Sequence, residues 1–146
     1  MRPPKPALYL GLAGLLPFLA AALGQLVPSV SDSAVSILGP RFGAAEVLVS
    51  YGSIILVFMS GVLWGFATKS SRYLAYLLSV LPALWVFFAV TGDSGQALSA
   101  LITGFIFVFV CDLQFARWGL TPKWWIPLRA GLSAVVIACL LIGIWS

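Results

Sequence analysis

The sequence predicts an all-α, polytopic membrane protein: a single domain forming a bundle of five transmembrane helices. Three observations carry that expectation. Of the 146 residues, 62% are hydrophobic and only 8% are charged, with a mean hydropathy of +1.10; soluble domains hold roughly a quarter charged residues, and disordered chains need low hydrophobicity with high charge. The apolar residues fall in five continuous runs, each near the roughly 20 residues that a spanning helix requires. The cations left between the runs then sort to one side.

The first run covers 7–27, is uncharged and is stopped by Pro28. Its basic start (Arg2, Lys5) and its Ala20–Ala22 stretch imitate a signal peptide, but the apolar length exceeds the 7–15 residues of a signal core, so a retained helix is expected. The absence of an Arg- and Ser-rich amphipathic leader favours a bacterial chain. The second run covers 44–68 with Glu46 at its start, the third 73–91, the fourth 96–116 with Asp112 near its end, and the fifth 124–145 with Arg129 near its beginning. Strands are not expected, because none of these runs alternates in the manner of a membrane barrel.

Five crossings place the N-terminus and the second and fourth connections on one side. That side carries Arg2, Lys5, Lys69, Arg72, Arg117, Lys123 and Arg129, against Arg41 alone on the other. By the positive-inside rule the N-terminus is cytoplasmic and the C-terminus periplasmic in a bacterial inner membrane. The connections 69–72 and 92–95 are too short for anything but antiparallel neighbours. The longest, 28–43, is rich in Ser, Gly and Pro and is expected over the outer mouth of the bundle. Trp118, Trp124 and Trp125 flank the inner connection as an aromatic belt.

Small residues mark candidate packing faces, since lipid offers helices no hydrophobic drive to associate. These are Gly52, Gly61 and Gly65 in the second run, Ala130, Ala134 and Ala138 in the fifth, Ala100 and Gly104 in the fourth, and Gly11 and Gly14 in the first. Packing within the chain is the expected use of Gly61-x-x-x-Gly65, with a homodimer seam as the alternative. Pro17 and Pro82 lie inside runs and should bend them, each releasing a carbonyl that needs another partner.

Polar groups inside the runs are few. Asp112 and Arg129 each sit about one turn from the inner ends of consecutive antiparallel helices, roughly 6–8 Å inside the boundary at 1.5 Å per residue. An intramembrane charge is costly, so an Asp112–Arg129 ion pair or shared hydrogen-bond network is expected. The alternative is that Arg129 snorkels to headgroups. Glu46 suits a helix N-terminus, or else lines an outer cavity with Tyr51. Trp64 reads as an interfacial anchor, or else, with Trp85, as an aromatic wall of a pocket for quinone or lipid. Cys111 and Cys139 lie too far apart along the membrane normal for a disulfide.

Without histidine, histidine-based metal sites and catalytic triads are excluded. No phosphate loop, paired acid–base carboxylates or nucleophile–base arrangement appears, so no enzyme activity, cofactor or metal is expected. The +4 charge is dispersed rather than clustered, which speaks against nucleic acid.

Gly11-Leu-Ala-Gly-Leu-Leu-Pro17-Phe18 resembles the opening of an uncharacterised inner-membrane family, the domain of unknown function numbered thirty-four twenty-nine, related to the mitochondrial transmembrane protein numbered sixty-nine. Tyr51-Gly52 through Phe58, Gly61 and Trp64-Gly65 resembles its most distinctive stretch. Leu81-Pro82-Ala-Leu-Trp85, Asp112, and Trp124-Trp125 leading to Leu128-Arg129 also fit. The resemblance spans nearly the whole chain. It departs at Leu63, where many members carry histidine, and at Ser60, where they often carry glycine; the missing histidine removes any proton-transfer or metal role there. The resemblance implies the fold and no activity. The expected function is therefore that of a non-catalytic accessory or assembly component of a larger membrane complex, whose partners are lipids and that complex or further copies of the chain. The alternatives are a small oligomeric transporter or channel, and a quinone- or lipid-binding module.

Overall fold

The computed structural model describes residues 2–146. It is all-α: α1 (Lys5–Ala13), α2 (Leu16–Leu26), α3 (Pro28–Leu38), a 3-10 turn (Pro40–Phe42), α4 (Ala44–Ala67), α5 (Tyr73–Ala89), α6 (Ser94–Arg117) and α7 (Trp125–Trp145). Four helical stretches are long and apolar enough to cross a bilayer: Lys5–Leu26, Ala44–Ala67, Ser94–Arg117 and Trp125–Trp145. The fifth apolar helix, α5, has 17 residues, about 26 Å of rise, slightly less than the apolar thickness of a bilayer.

Helix ends follow from local chemistry. Asp93 caps α6 by accepting from the Gln96 N–H at 2.9 Å, satisfying one of the free donors of a first turn. Gly119, at φ 72°, turns the chain out of α6 while the Leu120 N–H donates to the Phe115 carbonyl at 3.0 Å; a left-handed residue there favours glycine. At the start of α4 the Ala44 N–H is capped from outside the helix, by Ser31 Oγ of α3 at 3.0 Å.

The stretch 28–43 is a correction to the reading of it as a plain connection, since it is largely helical. Pro28 opens α3 at a position where its missing N–H costs nothing. No residue of α3 is buried, so it contributes little to the core.

Each internal proline disturbs the helical hydrogen bonding around it, and in each case a side chain from α4 supplies a substitute bond. Pro17 lies in the first turn of α2, just after the break at Gly14 and Leu15 that separates it from α1, and Tyr51 of α4 donates its hydroxyl to the Gly14 carbonyl at the break, at 2.9 Å. Pro82 lies inside α5. There the Ser60 hydroxyl of α4 donates to the Ser79 carbonyl and accepts from the Ala83 N–H at 3.3 Å. Residues 79 and 83 are the normal i and i+4 partners, so one hydroxyl stands in for the helical bond that the proline disturbs.

The core runs through the middle of the bundle, with Phe18, Leu56, Leu101, Phe105 and Leu140 essentially without exposure. Ala7 and Trp124 line one cavity at one end, whereas Ser146 Oγ donates to Gln25 Oε1 at 2.8 Å at the other. The two chain ends thus lie at opposite ends of the bundle. At the end carrying Trp124, Lys69 Nζ donates to the Leu120 carbonyl at 3.4 Å and Arg72 stands 4.9 Å over the Trp118 ring.

Two expected packing faces point the other way. Gly61 and Gly65 are exposed, and a Cβ on either would meet nothing within 4 Å. Ala130, Ala134 and Ala138 are exposed as well. In both helices the face turned inward is larger-chained: Leu56, Ser60, Leu63 and Ala67 in α4, and Arg129, Ser133, Val136 and Leu140 in α7. Among the expected packing glycines, close approaches occur at Gly11, where a Cβ would stand 3.2 Å from Leu132, at Gly52, where it would stand 3.1 Å from Leu101, and at Gly104, where it would meet Leu56 and stand 3.0 Å from Trp85.

Candidate functional site

Asp112 of α6 is the only buried acidic side chain among the described residues. It is held at both oxygens by α7. Arg129 Nε lies 3.0 Å from Oδ2, and Trp125 Nε1 donates to Oδ1 at 2.9 Å. Side-chain exposure is 6% for Arg129 and 2% for Asp112, so the pair is sheltered from solvent. Trp125 and Arg129 are four residues apart, hence on one face of α7, and the guanidinium carbon lies 5.9 Å from the Trp125 ring centre. Phe66 also packs against that ring, with the ring centres 5.1 Å apart and the planes nearly perpendicular.

Trp125 is therefore more than a belt residue at the interface: its indole N–H is an integral donor to the buried carboxylate. Ser133 extends the same face by another turn and is also buried. The spacing Trp125–Arg129–Ser133, i, i+4, i+8, is visible in the sequence and is the signal by which both could have been found.

Two polar atoms at this site have no partner. Arg129 Nη2 and Ser133 Oγ are both buried without a hydrogen bond. The Ser133 hydroxyl differs in this from Ser50, Ser53, Ser99 and Thr103, each of which donates to the carbonyl four residues back, as helical hydroxyls commonly do.

Arg129 and Ser133 both line a cavity of about 490 Å³ between α1, α2, α4 and α7. Its inner wall is formed by the buried Leu15, Phe18, Phe105 and Val136. Trp124, Trp125 and Leu128 close the end nearest the cationic connections. Leu10 and Phe58, 74% and 60% exposed, stand at its rim, so the opening faces the apolar exterior of the bundle.

The remaining candidates are not brought to this site. Tyr51 lines a second cavity of about 370 Å³ with Pro17, Ser31 and Arg41, but Glu46 does not. This corrects the pairing of Glu46 with Tyr51, because five residues of helix separate them by about 140° around the axis. Glu46 is exposed in the first turn of α4, where the helix dipole favours a negative charge.

Trp64 and Trp85 likewise share no pocket. Trp64 lines none of the cavities described and packs edge-on against Tyr76 at 4.9 Å. Trp85 donates to the Ala100 carbonyl at 2.7 Å, tying α5 to α6, beside a shallow apolar recess with Leu81, Phe88 and Phe107. Cys111 and Cys139 are free and buried.

The family described as Protein of unknown function (DUF3429) matches residues 3–145. Transmembrane protein 69 of Xenopus tropicalis is 34% identical over 141 residues, covering 92% of this chain and 51% of that protein. Transmembrane protein 69 of Mus musculus is 32% identical over 108 residues, covering 69% of this chain and 40% of that protein. The chain thus spans about half the length, or less, of these relatives. No solved structure matches it. A family match over nearly every residue, together with four helical stretches long and apolar enough to cross a bilayer, identifies this chain as a multi-pass membrane protein belonging to the DUF3429 family.

Proposed function

We propose that this protein is a non-catalytic accessory or assembly component of a larger membrane complex, inserted through five spans with its N-terminus cytoplasmic in a bacterial inner membrane. The observation that carries the reading is how the intramembrane polar groups are used. Ser60, Tyr51, Trp85 and the Asp112–Arg129 pair all join one helix to another. Between the two ends the centre is closed by Phe18, Leu56, Leu101, Phe105 and Leu140. A conducting path needs polar groups or water at mid-depth, and a reaction centre needs groups facing a substrate. A scaffold needs neither.

The five-span reading rests on α5 running back along α4 through Ser60 and on the opposite placement of the chain ends. A helix of 17 residues is at the lower limit for crossing, and a small mismatch costs fractions of a kcal/mol per Å. The cationic end then faces the cytoplasm.

The test is gentle solubilisation of the native membrane followed by size separation and identification of co-migrating proteins. A reproducible larger complex containing this chain is the expected result. A protein that migrates alone from every mild detergent, with its levels unlinked to any other membrane protein, overturns the proposal.

A further inference from the structure

We infer that the cavity between α1, α2, α4 and α7 binds a neutral lipid headed by a carbonyl group, whose oxygen accepts from Arg129 Nη2 and Ser133 Oγ. The inference is independent of the accessory role, since it concerns a ligand and not a protein partner.

Four features carry it. The volume, about 490 Å³, falls in the range of small-molecule sites, and such sites are apolar with a few convergent polar groups. The two polar groups are donors, buried and unpartnered, one turn apart on the face of α7 that lines the cavity. A buried donor without an acceptor is costly, and nearly all such groups in folded proteins have partners. A carbonyl oxygen has two lone pairs and serves both donors at once.

The headgroup's charge follows from Asp112. Its carboxylate already neutralises the guanidinium through Nε at 3.0 Å. A phosphate or carboxylate ligand would leave a net negative charge in an apolar enclosure, which is unfavourable. A neutral acceptor satisfies the donors without that cost. The tail is dictated by the rim: Leu10 and Phe58 border the opening on the lipid-facing surface, so an acyl or isoprenoid chain passes between them into the bilayer. A quinone and a glycerolipid ester both supply this chemistry.

The experiment titrates the purified full-length protein in mild detergent with three probes: decyl-benzoquinone, dioctanoylglycerol and dodecanoate at pH 7.5. Affinity is read from the rise of Tm with probe concentration. Two variants accompany the wild type. Ser133→Ala removes a buried hydroxyl that has no partner within the protein, so the unliganded Tm should hold or rise. Met59→Trp fills the cavity from its wall.

At least one neutral probe should raise the wild-type Tm, with dodecanoate weaker. Ser133→Ala should weaken that probe about two- to twelvefold, the loss of one hydrogen bond, and Met59→Trp should abolish the shift. The preferred neutral probe distinguishes quinone from ester. The inference is overturned if neither neutral probe binds, if dodecanoate binds as well or better, or if both variants bind like the wild type.

Discussion

The indole N–H of Trp125 lies 2.9 Å from Asp112 Oδ1, one helical turn before the arginine that holds the other oxygen of the same carboxylate. The clamp between α6 and α7 is consequently a three-residue unit. Each carboxylate oxygen has its own donor, so a buried acid is tolerated in an apolar bundle.

Arg129→Leu should lower stability by about 3–5 kcal/mol, because it strands Asp112 beside a single neutral donor. Arg117→Leu, at an exposed position, should stay within about 0.5 kcal/mol of the wild type. Thermal unfolding of the two variants in one detergent makes the comparison, and equal losses would remove the clamp from the account.

Ser60→Ala should cost about 1–3 kcal/mol, since it leaves the Ser79 carbonyl and the Ala83 N–H without their shared partner. Pro82→Ala restores the capacity of α5 to make its own bonds. In that background the loss from Ser60→Ala should shrink, and a double-mutant cycle showing simple additivity would contradict the bridging role.

Tyr51→Phe removes only the hydroxyl that meets the Gly14 carbonyl, leaving the ring against Phe18 at 5.0 Å. The expected loss is about 0.5–1.5 kcal/mol. It should be accompanied by faster amide exchange at the α1–α2 junction; unchanged exchange there would separate Tyr51 from the break at Pro17.

Gly104→Ala should destabilise by about 1–3 kcal/mol, as its Cβ meets Leu56 and stands 3.0 Å from Trp85. Gly61→Ala and Gly65→Ala, where a Cβ meets nothing, should be neutral or stabilising by about 0.5–1 kcal/mol from helix propensity. A marked loss at Gly61 together with dissociation of an oligomer would restore the homodimer seam.

A reporter fused after Ser146 should be active only when it reads the periplasmic side, and one fused after Lys69 only when it reads the cytoplasm. A cytoplasmic signal from Ser146 would exclude an odd number of crossings.

How much was legible in the sequence divides along one line. Run length and the short connections marked the long apolar helices, but not α3, which lies in a stretch read as a plain connection, nor the break between α1 and α2. Antiparallel neighbours joined by a short turn put Asp112 and Arg129 at one depth, which made a pair the expectation and snorkelling of Arg129 the alternative; the structure brings them together. Rotation about each helix axis was settled only in the tertiary structure. It turned Gly61, Gly65, Ala130, Ala134 and Ala138 outward, turned Ser60 toward the gap at Pro82, and separated Glu46 from Tyr51. The physical reason is that a span apolar on every side has no amphipathic face to orient it. Its inward side is chosen by the few hydrogen bonds its neighbours offer and by the volume they leave, and both exist only once the helices are assembled.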